Sequence, residues 1–162
     1  MADDELATDE ERLVTYAVEL AVGVADALPA WVVRSVERIA TAWRGDLDPE
    51  LREVAEAAGE RARAAVGSEI RVLLETDVDE QWTSPLDLVR RAARYPTDVL
   101  RAAGVPPVRR DEVAERLFPD DTYDLAPASF ADLSPSLAEA GIVWGAAKAH
   151  VVLARRRREG QR

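Results

Sequence analysis

Apolar residues recur at helical spacing along almost the whole chain, and this pattern constrains the fold more than any other feature. Leu13, Ala17, Leu20 and Val24, for example, are three or four positions apart and therefore share one face of a helix. The runs of alternating β-branched residues that would indicate strands are missing from the sequence. The pattern predicts an all-α protein, and a length of 162 residues suits one domain with a single core.

Prolines, glycines and capping residues divide the pattern into a helical bundle of six or seven helices. Pro29 and Pro96 each lack an amide hydrogen and are expected to end the helix before them. The predicted helices cover about 9–28, 32–43, 49–75 with a break near Gly67, 84–95, 97–104, 109–118 and 134–155. The single domain would then span 9–155, between a disordered acidic start at 1–8 and a basic tail at 156–162.

Composition limits the chemistry that this chain can perform. It contains no cysteine and one histidine, which excludes disulfides, thiol catalysis and a structural zinc site. The net charge is −10, and residues 1–80 hold 20 of the 31 acidic groups.

No positively charged and apolar leader opens the chain, so a cytoplasmic location is expected. We predict no cofactor. The sole imidazole, His150, has no serine and acid set beside it, and it is expected to be a packing residue because it lies in an alanine-rich helix.

One acidic motif favours metal chemistry as an alternative. Asp120, Asp121 and Asp124 in "DDTYD" resemble the aspartate-rich motif with which all-α prenyl-diphosphate enzymes and terpene synthases hold magnesium. The resemblance covers five residues, and those families have a second acidic cluster for which no match is found here. Pro119 also precedes the motif, which favours a solvated turn over the wall of a helix.

A second alternative is a nucleic-acid-associated protein. Six arginines and only two acidic residues lie between positions 81 and 110, in an otherwise acidic chain. Arg90, Arg91 and Arg94 lie on one side of a predicted helix, where they could hold a phosphate backbone. The surplus of carboxylates elsewhere favours another interpretation, in which these arginines pair with acidic helices of the same fold or of a second copy.

The stretch "GIVWGAAKAHVVLARRRR", residues 141–158, predicts a helix that is buried nearly all round and central to the fold. Its apolar run is too short to span a bilayer, and two polar residues interrupt the remainder, so no membrane association is expected. Lys148 follows Trp144 by one turn, and its ammonium group is expected over the indole. The small residues Gly141, Gly145 and Ala149 allow a neighbouring helix to come close. Together these five residues form the predicted interface.

The run from "YPTDVLRAAGVPPVRRDEVAERLFPDD" through "WGAAKAH" resembles uncharacterised small helical proteins of high-GC actinobacteria. No activity comes with this resemblance, which implies only a cytoplasmic bacterial origin. The sequence therefore favours a non-enzymatic interaction or regulatory protein. Self-association as a homodimer, or binding of another protein, is expected to be its role.

Overall fold

The protein is all-α, as predicted. The computed structural model describes residues 2–75 and 85–161, and no β-strand occurs within those two ranges. The α-helices are α1 (Ala2–Arg44), α2 (Pro49–Glu75), α3 (Pro85–Arg90), α4 (Arg94–Ala102), α5 (Glu112–Leu117) and α6 (Leu137–Gly160). Two short 3₁₀ helices, Arg91–Ala93 and Phe130–Asp132, precede α4 and α6.

The first helix is longer than predicted at both ends. Pro29 lies inside α1, and the helix begins at Ala2 in the acidic segment that we expected to be disordered. The apolar stripe explains the first difference, because Val24, Leu28 and Val32 continue at four-residue spacing across the proline and all three are fully buried. Burial on both sides of Pro29 stabilises the helix more than the missing hydrogen bond weakens it. The prediction of two helices here was wrong.

Helices α1 and α2 form a long antiparallel hairpin. Gly45, in the left-handed conformation with φ 88°, ends the first helix as predicted. The backbone amide of Glu50 donates to Oδ1 of Asp48 at 2.9 Å, which confirms the predicted cap before Pro49. The predicted break near Gly67 is absent, since α2 continues to Glu75 and Gly67 packs against Ala25 of α1.

Pro96 also lies inside a helix. It is the third residue of α4, where its missing amide hydrogen leaves no intrahelical bond unmade. The expected stop at Tyr95 and restart at Thr97 were therefore wrong, and Thr97 is buried within the helix. Gly104, with φ 76°, ends this region as predicted. The predicted cap at Ser84 lies outside the described residues.

The central helix is α1 and not α6. Helix α1 contacts α2, α4 and α6, whereas α6 packs mainly on α1. Among the residues of α6, Leu137, Trp144 and Val151 are buried, and they lie on one face. The prediction of a buried C-terminal helix was wrong. Alanines make the helical wheel of α6 apolar on every side, but an exposed methyl group costs little free energy and does not require burial.

The predicted basic tail is part of α6, which continues to Gly160 beside the start of α1. Helices α1 and α6 run antiparallel, and ion pairs join their ends. Arg158 lies 2.8 Å from Asp3, and Arg155 lies 2.9 Å from Glu10. These pairs join the acidic first turns of α1 to the arginine run. The segments predicted as a disordered acidic start and a basic tail are therefore parts of two paired helices.

Candidate functional site

The outward side of α6 is an apolar surface that no other part of the described chain covers. We call it the α6 outer face, and it consists of Ile142, Gly145, Ala146, Ala149 and Leu153. These residues recur every three or four positions and therefore share one side of the helix. Ile142 is 72% exposed and Leu153 is 52% exposed. The opposite side of α6 is the one that packs on α1.

The predicted interface residues divide between these two sides of α6. Trp144 is buried in the chain's own core, and Nζ of Lys148 lies 5.2 Å from the centre of its indole ring, which confirms the predicted cation–π contact. A Cβ at Gly141 would lie 2.9 Å from Phe130 of the same chain. At Gly145, in contrast, no atom of the described residues outside the backbone of its own helix lies within 4 Å of such a Cβ. Gly145 and Ala149 therefore face outward, while Gly141 and Trp144 serve internal packing.

His150 is not the buried packing residue that we expected. Its side chain is 66% exposed, and Nε2 lies 3.0 Å from Oδ2 of Asp9. The contact is one more link between α6 and the first turns of α1. The error arose because the neighbouring alanines suggested burial, although they lie on the exposed side of the helix.

A cleft of about 420 Å³ brings the two charged motifs of the sequence together. We call it the arginine cleft. One wall comes from the junction of α3 and α4, and the other from the end of α5 and the loop after it. The lining residues are Asp87, Arg90, Arg91, Ala93, Arg94, Leu117, Phe118, Pro119, Asp120, Asp121 and Ala126.

The three arginines predicted for nucleic acid all line this cleft. The 3₁₀ turn Arg91–Ala93 places Arg91 and Arg94 one above the other, because such a helix has three residues per turn. Arg90 is engaged internally: its Nη1 lies 3.4 Å from Oδ1 of Asp87, and its Nε donates to the carbonyl of Pro127 at 3.2 Å. Within the described part of the chain, Arg91 and Arg94 form no ion pair with a carboxylate. The expected pairing with acidic helices is therefore not found for these two.

The three aspartates of "DDTYD" do not converge on one point. The carboxylate of Asp121 is buried and accepts the backbone amides of Leu125 at 2.8 Å and Ala126 at 3.0 Å. Asp124, with φ 55°, lines a different cleft beside Arg34 and Arg38 of α1. Of these three aspartates, only Asp120 presents an exposed carboxylate to the arginine cleft. In residues 2–75 and 85–161, no group of three acidic or histidine side chains is arranged to hold a metal ion.

Tyr123 anchors the same loop to the core. Its side chain is buried, and its hydroxyl donates to the carbonyl of Val105. Burial raises the pKa of Tyr123 above its ordinary value, and the positive charge of Arg101 partly opposes that rise. The motif that resembled a magnesium site is thus built as a structural turn, with one aspartate and one tyrosine directed inward.

Replacing Asp121 with alanine is expected to destabilise the protein by about 1–3 kcal/mol, because two backbone amides would lose their acceptor in a buried position. Asp120→Ala is the matched control, since the neighbouring carboxylate is exposed and its loss should change the free energy of unfolding by less than about 0.5 kcal/mol. Urea unfolding of both variants measures the difference. Equal effects would contradict the structural role of Asp121.

The sequence predicted the charged members of the cleft but missed its apolar wall. Leu117 and Phe118 are 61% and 44% exposed at the end of α5. Two consecutive large apolar residues between a charged helix and Pro119 were a signal that an apolar surface follows the helix. The meeting of this wall with Arg91 and Arg94 depends on tertiary packing and has no counterpart in local sequence.

By length and composition, α1 and α6 are each apolar enough to cross a membrane. This evidence is weak, because a core helix of a soluble protein has the same properties, and much of the apolar side of α1 is buried inside the chain.

Comparison of the chain with protein-family models, with curated proteins and with solved structures finds no match.

Proposed function

We propose that the protein is a non-enzymatic, cytoplasmic interaction protein, a helical bundle that forms a homodimer through the α6 outer face. The observation that supports this most directly is the exposure of Ile142 and Leu153, at 72% and 52%, on one side of a helix. Complete burial of such a side chain contributes about 1.5–3 kcal/mol, and a symmetric pair would cover four of them. Contiguous apolar surfaces of this kind are typical of association sites.

The arrangement of large and small residues favours a second copy of the same chain as the partner. Gly145, Ala146 and Ala149 lie between Ile142 and Leu153, so a second helix can approach closely at the middle of the face. In an antiparallel pair with its twofold axis between Ala146 and Ala149, Ile142 of one copy is level with Leu153 of the other. The surface is then self-complementary, as a twofold interface requires.

Charge favours the antiparallel direction. In a parallel pair, the exposed Arg156 and Arg157 of the two copies would lie side by side and repel one another. In the antiparallel pair, they are level with the exposed Glu139 of the second copy. Each dimer then has this combination of opposite charges at both ends of the α6 pair, where it fixes the direction of pairing more than it adds affinity.

Light scattering after size-exclusion chromatography is expected to give a mass about twice the 17.8 kDa of the chain. The double variant Ile142→Gln with Leu153→Gln should elute as a monomer, because four apolar side chains are lost from the interface. Val22→Gln with Val72→Gln is the matched control, since these side chains are 51% and 62% exposed on α1 and α2. A monomeric wild-type protein at about 100 μM, a concentration far above a micromolar dissociation constant, would contradict the proposal.

Cross-linking can establish the direction of the pair, because the natural chain has no cysteine. Ala138→Cys and Arg156→Cys should form a mixed disulfide when the two single variants are combined, and each variant alone should form little. In the antiparallel pair, two copies of the same variant would hold their thiols about 27 Å apart along the helices, far beyond the reach of a disulfide. Efficient cross-linking of each variant with itself would indicate parallel pairing instead.

A further inference from the structure

We propose that the arginine cleft binds a small organic carboxylate with a flat apolar body. This site shares no residue with the α6 outer face and does not depend on dimer formation. Its volume of about 420 Å³ lies in the range of small-molecule sites. It combines guanidinium groups on one wall with an apolar surface on the other.

The free charges in the cleft favour an anion. Three arginines and three aspartates line it, and three of these six groups already have partners. Asp87 pairs with Arg90, and the carboxylate of Asp121 is held by two backbone amides. In the described part of the chain, the charged groups of the cleft without an ion-pair or hydrogen-bond partner are Arg91, Arg94 and Asp120. Two guanidinium groups against one carboxylate leave one unit of positive charge to be neutralised.

The opposite wall favours an apolar body attached to that anion. Leu117 and Phe118 are exposed where the cleft opens, although both are large apolar side chains. Nη1 of Arg110 donates to the carbonyl of Phe118 at 2.6 Å and thereby fixes the backbone at the end of α5. The guanidinium carbon of Arg90 lies 6.0 Å from the centre of the Phe118 ring. A flat ligand could stack on this ring while its acid group reaches the arginines.

A single negative charge fits the cleft better than a polyanion does. The planar fork of a guanidinium group matches the two oxygens of a carboxylate. Asp87, Asp120 and Asp121 lie in the same cleft and oppose a nucleic-acid strand, whose charges repeat along its length. The arginines that suggested nucleic acid in the sequence therefore favour a small monoanion once their acidic neighbours are placed around them.

Titration calorimetry with naphthalene-2-carboxylate, supported by amide chemical shifts of ¹⁵N-labelled protein, tests this site. We expect saturable binding with shifts at Arg91, Arg94, Phe118 and Asp120. Naphthalene-2-methanol has the same body without the charge, and acetate has the charge without the body, so both should bind at least about tenfold more weakly. Arg91→Gln with Arg94→Gln should weaken binding of the naphthoate by at least about tenfold.

Arg52→Gln with Arg63→Gln is the matched control, because it removes the same charge from exposed ion pairs on α2. Its binding should equal that of the wild type, and circular dichroism should show both double variants folded. Three outcomes would overturn the proposal: equal binding of the neutral analogue, unchanged binding in the Arg91 and Arg94 variant, or shifts confined to α6. Each can occur whether or not the protein is a dimer, so failure here is distinct from failure of the proposed self-association.

Discussion

Replacing Gly59 with alanine is expected to destabilise the protein, although the same change usually stabilises a helix. Gly59 lies inside α2, where this helix packs against Pro29 of α1. A Cβ there would lie 2.8 Å from Cα and 2.9 Å from the carbonyl oxygen of Pro29. Backbone atoms cannot move aside as a flexible side chain can, so the two long helices would have to separate. Overpacking of this kind costs about 1–3 kcal/mol, against the roughly 1 kcal/mol that alanine contributes as a better helix former.

Gly145→Ala is the matched control for Gly59→Ala. Gly145 also lies within a helix, but a Cβ added there would meet no described atom within 4 Å apart from the backbone of its own helix. At protein concentrations where the chain is monomeric, alanine at this position should raise the free energy of unfolding by up to about 1 kcal/mol. Urea denaturation of the two variants should therefore give shifts of opposite sign. A stabilising effect of Gly59→Ala would show that α1 and α2 are not packed as closely as described.

Replacing Leu20 with alanine is expected to cost about 2–5 kcal/mol, the range for removing a fully buried leucine from a close-packed core. Leu20 is completely buried in the middle of α1, the helix that α2, α4 and α6 all contact. The structure cannot close the resulting cavity at one interface without opening another. For a domain of this size, that loss is a large part of the total stability.

Val22→Ala, two residues further along the same helix, provides the comparison for Leu20→Ala. Val22 is 51% exposed, and its truncation should change the free energy of unfolding by less than about 0.5 kcal/mol. Thermal unfolding monitored by circular dichroism can compare both variants with the wild type. If the two substitutions had similar effects, α1 would not be oriented with Leu20 toward the core.

The sequence predicted the charged residues of the arginine cleft but not their arrangement in space. The sequence alone identified Arg90, Arg91, Arg94 and Asp120 as groups of interest, because charged residues in unusual local concentration can be seen without a structure. It did not place them in one cleft, since Arg94 and Asp120 are far apart in the chain. It also offered Asp120, Asp121 and Asp124 as an alternative metal site, because the spacing of carboxylates does not reveal which ones turn inward to cap a loop.

Local chemistry determined the features that depend on a few neighbouring residues. The all-α class followed from apolar spacing, the left-handed ends at Gly45 and Gly104 followed from glycine, and the contact of Lys148 with Trp144 followed from one helical turn. Each of these is decided by backbone geometry over a few positions. The sequence predicted them correctly because no distant residue opposes them.

Tertiary packing alone decided which helix is central and where helices continue. Pro29 should stop a helix on local grounds, yet burial of the apolar residues on both sides of it holds it inside α1. The apolar wheel of α6 indicated burial, yet α1 occupies the centre because its large side chains remove more apolar area from water than the alanines of α6 can. Burial is a sum over contacts between distant segments, and no local stretch of sequence contains that sum.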